Sequence, residues 1–416
     1  MQNSREYDLV LYGVTGFVGE LTARYVAHAA PAGTKIALAG RDLGRVEAAR
    51  GRLPAAAAGW GLIQADAANA DSLRQMADST RVVVTTVGPY ADYGLPLVLA
   101  CAAAGTDYAD LTGEPLFVRE SIDAAHELAV KNSARIVHSC GFDSVPSDLS
   151  VFLTYRQALA EDTGELAEST LVASLRGGMS GGTVASGRGQ MRAIAGDRSL
   201  QAELDDPYLL SADRELESRP GEQSDRALAK ASSIDASLPG WVTTFIMAQH
   251  NSRIVRRSNS LLGWAYGKDF RYREVMSVGR SAAAPIMAAG VSAVLWAQNA
   301  LGPLAHKGFG DKVIDAIAPK PGTGPDEKAR DAGWFSMKTF TRTSGGARYL
   351  ATFAADGDPG YKATAVILGE VGLCLALDRG ELSELAGVLT PAPVMAEPLA
   401  RRLRAAGMTI EVERRR

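Results

Sequence analysis

Between Asp8 and His138 the chain alternates between two hydrophobic patterns. Short apolar or β-branched runs at Asp8–Tyr12, Lys35–Ala39, Gly61–Ala65, Arg81–Val87 and Arg135–His138 predict strands. Ala-rich stretches with helical spacing at Phe17–Ala29, Arg45–Arg50, Ser72–Asp78, Leu95–Ala104 and Glu120–Lys131 predict the helices between them. Strand and helix repeated in this way imply a parallel sheet covered on both faces. The run VVVTTV, residues 82–87, is apolar or β-branched throughout, as a strand buried on both sides requires.

The pattern changes after Asp148. Residues 160–170 and 196–235 are polar and acidic, with few long apolar runs. Between them lies LRGGMSGGTVASGRGQ, residues 175–190, with six glycines. Residues 281–305 run for 25 positions without a charge. Their length suits a membrane span, but Pro285, Gly290, Gln298 and Asn299 favour a helix packed inside a second domain, or a shallow surface contact helped by Arg253, Arg256, Arg257, Arg271 and Arg273. Residues 319–333 are rich in turn formers. Residues 339–361 predict two strands around a Gly-Gly turn, a helix follows from about Lys362 to Leu377, and the tail is a basic amphipathic segment.

The whole composition narrows the classes. In 416 residues, 46% hydrophobic and 22% charged, there is ample material for a globular core. A net charge of −3, from 44 basic and 47 acidic residues, gives no basic field for nucleic acid. Cys101, Cys140 and Cys374 form no paired spacing, which fits a reducing compartment such as the cytoplasm. The opening MQNSREYDLVLYG has no basic, cleavable leader, and the five histidines show no metal-binding spacing.

The candidate chemistry starts at GVTGFVG, residues 13–19, between the first predicted strand and helix. Gly13 lets the chain leave the strand sharply, Gly16 clears room for a pyrophosphate, and Gly19 lets the helix approach the sheet. With Thr15, Phe17 and Val18 these residues form a candidate dinucleotide turn at a helix N-terminus. The second strand ends in Gly40-Arg41, where NAD-binding turns carry an acidic residue. Arg41 suits a 2′-phosphate, so NADPH is the expected cofactor; in the alternative reading Asp42 holds the ribose. Asp66, ending the third strand, either meets adenine or caps the next helix. Thr86, Val87 and Gly88 end the fourth strand on the ligand side, followed by Tyr90 and Tyr93.

These stretches carry a resemblance. GVTGFVG (13–19), ALAGR (37–41), TTVGPY (85–90), YADLTGE (108–114), HSCGFDSVPSDL (138–149), RGGMSGGT (176–183), GDPGYKATA (357–365) and GVLTPAPVM (387–395) run in order along nearly the whole chain. Together they resemble the saccharopine dehydrogenase-like oxidoreductases and, more narrowly, the trans-acting enoyl reductases of actinobacterial lipid synthesis. The resemblance implies an α/β fold: a Rossmann domain with a doubly wound parallel sheet (1–148), an α+β substrate domain on an open mixed sheet (149–358), and a C-terminal segment whose helices return to the first domain (359–416). It implies NADPH-dependent reduction of the α,β-double bond of an acyl chain carried by a polyketide synthase or carrier protein, for lipids such as phthiocerols.

Two rivals stay open. A saccharopine-type imine reductase would want arginines in its pocket, and Arg176 and Arg188 are candidates. A non-catalytic NADPH-binding protein at a lipid surface would need only the turn. A homodimer and membrane contact through 281–305 are further open expectations.

Within this reading Tyr90 is the leading proton donor. Asp143 either orients the cofactor or a donor, or with Ser144 caps the helix that Pro146 starts. Gly141 gives a sharp turn and is expected with Phe142 to contact the cofactor, and the amides around Phe142 and Asp143 are expected to face the cleft. Ser180 and Thr183 offer hydroxyls in the glycine-rich loop. Cys140 reads as a structural thiol, and His138 as a core histidine or a proton relay.

Overall fold

A computed structural model describes residues 5–177, 196–197, 199–219, 221, 223, 227–279 and 324–416. The first half builds β1 (Tyr7–Tyr12), α1 (Phe17–Ala29), β2 (Ile36–Gly40), α2 (Leu43–Arg50), β3 (Gly61–Gln64), α3 (Ala70–Ser79), β4 (Thr80–Thr85), α4 (Tyr90–Ala104), β5 (Asp107–Ala109), α5 (Pro115–Lys131), β6 (Arg135–Val137) and α6 (Val145–Ala160). There follow β7 (Leu166–Arg176), α7 (Ser199–Asp205), β8 (Leu228–Lys230), β9 (Trp241–Thr244), α8 (Ala248–Leu261), β10 (Arg271–Ser277), α9 (Glu327–Asp331), β11 (Trp334–Thr343) and β12 (Arg348–Asp356). Last come α10 (Thr364–Leu377), β13 (Gly387–Leu389), α11 (Pro391–Ala405) and β14 (Thr409–Arg415).

The first sheet has the order β13-β6-β5-β4-β1-β2-β3, and every pair in it is parallel. From β1 the chain winds outward through β2 and β3, then returns to β4 on the other side of β1. The strand order reverses there, so a crevice opens beyond the carboxyl ends of β1 and β4, where doubly wound sheets bind ligands. Val82, Val83 and Val84 of β4 are fully buried, as their unbroken apolar run predicts.

The second sheet is mixed, in the order β14-β12-β11-β7-β10-β9-β8; β7 and β10 run parallel and the other pairs antiparallel. β11 alternates buried and more exposed positions, the signature of a strand with one face on the core. α6 lies on that face, with Phe142 just before it set edge-on against Phe335, ring centroids 4.7 Å apart.

The C-terminal helix α10 and strand β13 return to the first sheet, as the resemblance implies, whereas the last strand, β14, joins the second sheet. α10 packs on α1 and β4, where a side chain at Gly372 would meet Val84 Cγ2 at 2.8 Å. Tyr25 of α1 gives its hydroxyl proton to Glu370 of α10 (2.5 Å), whose other oxygen accepts from Arg402 of α11 at 3.2 Å. Among the described residues one helix, Pro359–Leu377, is long and apolar enough to cross a membrane; 78% of it is buried inside the protein. Residues 281–305 lie outside the described residues.

The chain departs from the sequence pattern in identifiable places. β5 is three residues long and begins on a buried aspartate, too little for a periodicity. α4 starts five residues before the expected Leu95 because Glu114, distant in sequence, takes up its first amides. β7 begins inside the stretch that reads as polar. The basic tail divides into α11 and the edge strand β14, whose alternating charges suit a sheet margin.

Candidate active site

The glycine turn sits at the carboxyl end of β1. The Gly13 amide donates to Ala39 O (3.0 Å) and the Gly16 amide to Gly13 O (3.0 Å), which folds the turn back on itself. Gly13 adopts φ +96°, and Gly19 packs so closely that a Cβ there would lie 2.2 Å from Gly13 O. At Gly16 a Cβ would meet only Gly13 O, at 3.3 Å; its other side is open. Two glycines therefore serve the protein's own packing and the third leaves space beside the helix start. Among the described residues no side chain caps α1, so its first amides and dipole suit an anion. Thr15 and Val18 are partly buried beside it. The Phe17 ring turns away, edge-on to Tyr361 (5.2 Å) and under the Arg330 guanidinium (5.4 Å), so Phe17 offers this turn its backbone.

Arg41 is exposed at the end of β2, and its guanidinium has no partner among the described residues. Asp42 is engaged: its Oδ1 accepts from the Arg45 amide at 3.0 Å and caps α2. That favours Arg41 over Asp42 as the group that reads the ribose end. Asp66 Oδ1 accepts from the Ala68 amide (3.0 Å), while Asn69 caps α3, so Asp66 is not that helix's cap. Arg41→Ala is expected to weaken NADPH binding about 10- to 100-fold by removing a charge-assisted contact, and to leave NADH binding unchanged. Titration of both nucleotides checks this; equal losses would remove Arg41 from the 2′-phosphate.

Beside the glycine turn, the Thr86 amide donates to Tyr12 O (3.0 Å) and its hydroxyl to Gly13 O (3.3 Å), which ties the ends of β1 and β4 together. Val87 is half-buried and Gly88 exposed at the crevice; the Gly88-Pro89 bond is cis. Tyr90 differs from the expected proton donor. Its hydroxyl donates to Thr85 O (3.2 Å) and accepts from the Leu111 amide (3.1 Å), and burial with Asp110 nearby pushes its pKa well above 10. The structure places it as a brace. Tyr93, by contrast, is exposed.

The third turn follows β6. Gly141 is buried, with Leu111 Cδ2 2.7 Å from where a Cβ would sit. Contrary to the expectation of a free amide, Phe142 N–H donates to Thr364 Oγ1 at 3.2 Å. Ser144 occupies the cap position of α6 but makes no cap; its hydroxyl donates to Asn251 Oδ1 at 2.9 Å. Asp143 makes no cap either. The residue as a whole is partly exposed, its carboxyl has no hydrogen-bond partner among the described residues, and burial of that carboxyl pushes its pKa up to about 6. Cys140 is fully buried, which pushes its thiol pKa well up and fits a structural thiol. Ser180, Thr183 and Arg188 lie outside the described residues.

The comparisons with known proteins add identity to this geometry. Residues 9–137 match the saccharopine dehydrogenase NADP binding domain. Over 412 residues, 99% of this chain and 98% of the relative, the chain is 51% identical to a Mycobacterium tuberculosis protein provisionally assigned as a trans-acting enoyl reductase. Over 413 residues, with the same coverage, it is 48% identical to the trans-acting enoyl reductase of Mycobacterium ulcerans. The chain belongs to this family. The apo saccharopine dehydrogenase (L-Glu forming) of Saccharomyces cerevisiae shares the fold, with a TM-score of 0.55 and 13% identity over 98% of this chain and 99% of that one. The chain is thus an NADP-dependent oxidoreductase, and the open glycine turn with Arg41, unpartnered among the described residues, fits that cofactor.

In this family member the loop YADLTGE has a role that its sequence pattern did not reveal. Asp110 Oδ1 accepts from the amides of Thr112 (3.1 Å) and Ser139 (2.9 Å), and its Oδ2 accepts from the Tyr108 hydroxyl (2.9 Å) and His138 Nδ1 (2.7 Å). Glu114 accepts from the amides of Tyr90 (3.1 Å) and Ala91 (2.8 Å). One loop thereby anchors both the Gly88 and the Asp143 turns. The only legible signal was two carboxylates four residues apart at the carboxyl edge of a sheet. His138 Nε2 also meets Ser121 Oγ at 2.8 Å, which completes the order Asp-His-Ser. All three are 0% exposed, so this is a satisfied core cluster with no access for substrate.

Asp148 is also fully buried. It accepts from the Ser258 hydroxyl (2.5 Å) and the Ala392 amide at the start of α11 (2.8 Å), yet burial raises its pKa from 3.8 to about 7. The folded state therefore holds this proton more tightly than the unfolded chain. The resulting stability is fully present below about pH 4 and is lost as pH rises through about 7. Asp148→Asn keeps an acceptor for Ala392 and is expected to flatten that part of the pH dependence. Unfolding midpoints from pH 4 to 8 check it; an unchanged slope would contradict it.

Proposed function

We propose that this chain reduces the α,β-double bond of an acyl chain carried by a polyketide synthase or carrier protein, in making a lipid of the phthiocerol type. The relatives' names point to enoyl reduction. The observation that carries the reading in this chain is Asp143: a carboxyl with no hydrogen-bond partner among the described residues and a pKa of about 6, in the turn after β6, at the same carboxyl edge of the parallel sheet as the glycine turn after β1.

NADPH, when bound, supplies the hydride to the β-carbon. The protein's part is to hold the cofactor and move a proton. The α1 amides and Arg41 grip the phosphates, while Thr86, Val87 and Gly88 wall the crevice. Asp143 holds its proton on a carboxyl oxygen below about pH 6 and delivers it to the α-carbon as the enolate collapses.

Arg176, the described candidate for an imine pocket, is exposed at the end of β7, and the arginines of α8 do not add to such a pocket. Arg253, Arg256 and Arg257 are only 1–3% exposed. They donate to the carbonyls of Leu204, Pro207, Tyr272, Leu210 and Val388, so the cluster that looks basic in the sequence is spent on main chain.

NADPH consumption by the purified protein, with an α,β-unsaturated acyl thioester or with an amino acid plus an aldehyde, tests the proposal. Turnover of the thioester alone supports it. Turnover of the imine alone would move the chain to the rival activity. NADPH binding with neither turnover would favour a non-catalytic sensor.

A further inference from the structure

The Asp143 turn is held at both ends by two consecutive residues of one helix in the other layer. At its start, Ser139 adopts φ +63°, an unfavourable conformation for a residue with a side chain, which persists only where surroundings impose it. Its amide donates to Asp110 Oδ1 (2.9 Å), its hydroxyl donates to Thr112 O (2.9 Å), and the same oxygen lies 2.8 Å from His250 Nε2. At the end of the turn, the Ser144 hydroxyl donates to Asn251 Oδ1 (2.9 Å). Asn251 Nδ2 donates to Glu274 Oε2 (2.9 Å), which fixes the orientation of the amide.

The direction of the His250 bond follows from counting protons. The single Ser139 hydroxyl hydrogen goes to Thr112 O, so His250 must donate from Nε2–H. Its Nδ1 then carries the lone pair, and this atom has no partner among the described residues. Burial pushes the imidazole pKa down to about 3, so the ring is neutral at working pH. His250 is a fixed donor, not a proton shuttle.

We infer that His250 and Asn251 are positioning residues for catalysis: α8 clamps Ser139 and Ser144 so that Asp143, between them, presents its carboxyl to the substrate. This rests on the reading of Asp143 as proton donor. It also couples the second sheet, through α8, to the geometry of the cofactor crevice.

The test uses two replacements that place a donor differently. In His250→Gln the side-chain nitrogen reaches the place of Nε2; in His250→Asn it reaches only that of Nδ1. For thioester reduction by the full chain, H250Q is expected to retain kcat within about threefold. H250N is expected to lose at least about tenfold in kcat, with the Kd for NADPH within about twofold of wild type. Equal kcat in the two variants, or a loss in H250N matched by loss of NADPH binding, would overturn the clamp. If H250N does not fold, Asn251→Ser releases the other end and is expected to lower kcat about tenfold; an unchanged kcat would overturn the clamp. Absence of turnover in the wild type itself would overturn the reductase reading, and the catalytic sense of the clamp with it.

Discussion

Asp143→Asn is expected to lower kcat for the unsaturated thioester by about 10²–10⁴-fold while NADPH binding stays within about twofold of wild type. The carboxyl makes no hydrogen bond among the described residues and caps no helix, so its loss leaves no structural partner stranded. The change should therefore spare folding and fall on the proton-transfer step. The wild-type pH profile supplies a second reading. With a pKa of about 6, the donor is protonated below that value, so kcat should fall about tenfold per unit above it. The sign is diagnostic: a general base would give activity that rises through the same window. The residual activity of the Asn variant should be flat between pH 5 and 8. Steady-state rates over that range check both statements. A variant with wild-type kcat would return the proton-donor role to an unassigned group.

Asp110→Ala should have the largest effect on stability of any change near the crevice. The carboxylate is 0% exposed and serves four donors: two amides, the Tyr108 hydroxyl and His138. Each buried donor left unmet costs about 1–3 kcal/mol, and the costs add incompletely because the groups are neighbours. A fall of about 5–10 °C in the unfolding midpoint is the expected result. Asp110→Asn retains one acceptor oxygen and should fall between the two. In the Ala variant Ser139 loses an anchor, so kcat should drop as well; the oxygen that Asn retains can still accept from its amide. Thermal unfolding of the three proteins decides the matter, and a shift under about 2 °C for the Ala variant would show that the network is dispensable.

What was legible in the sequence had local causes. Strands β1, β2 and β4 are apolar runs buried on both faces, and the glycine turn has the spacing its close packing demands. The place of Arg41 was legible because it directly follows β2, at the carboxyl edge of the sheet. That Tyr90 serves as a brace was not legible. Whether Tyr90 donates a proton depends on Thr85 and Leu111, which the fold brings to its hydroxyl, and no spacing encodes that. Likewise, Asp143 and Ser144 looked like helix caps because they precede Pro146; Asn251, more than a hundred residues later, takes the Ser144 hydroxyl instead. The arginines near 253–257 looked like a basic surface because burial against carbonyls leaves no mark on composition. His250 was one histidine among five until α8 placed it against Ser139.

Transfer of label from C4-deuterated NADPH to product is the most direct measurement. With an α,β-unsaturated acyl thioester, mass spectrometry should find a saturated product with a single deuterium at the β-carbon from the cofactor. In deuterated water with unlabelled NADPH, the label should appear at the α-carbon instead. Unreduced thioester, or cofactor label recovered only in the product of an amino acid and an aldehyde, would contradict enoyl reduction as the activity of this chain.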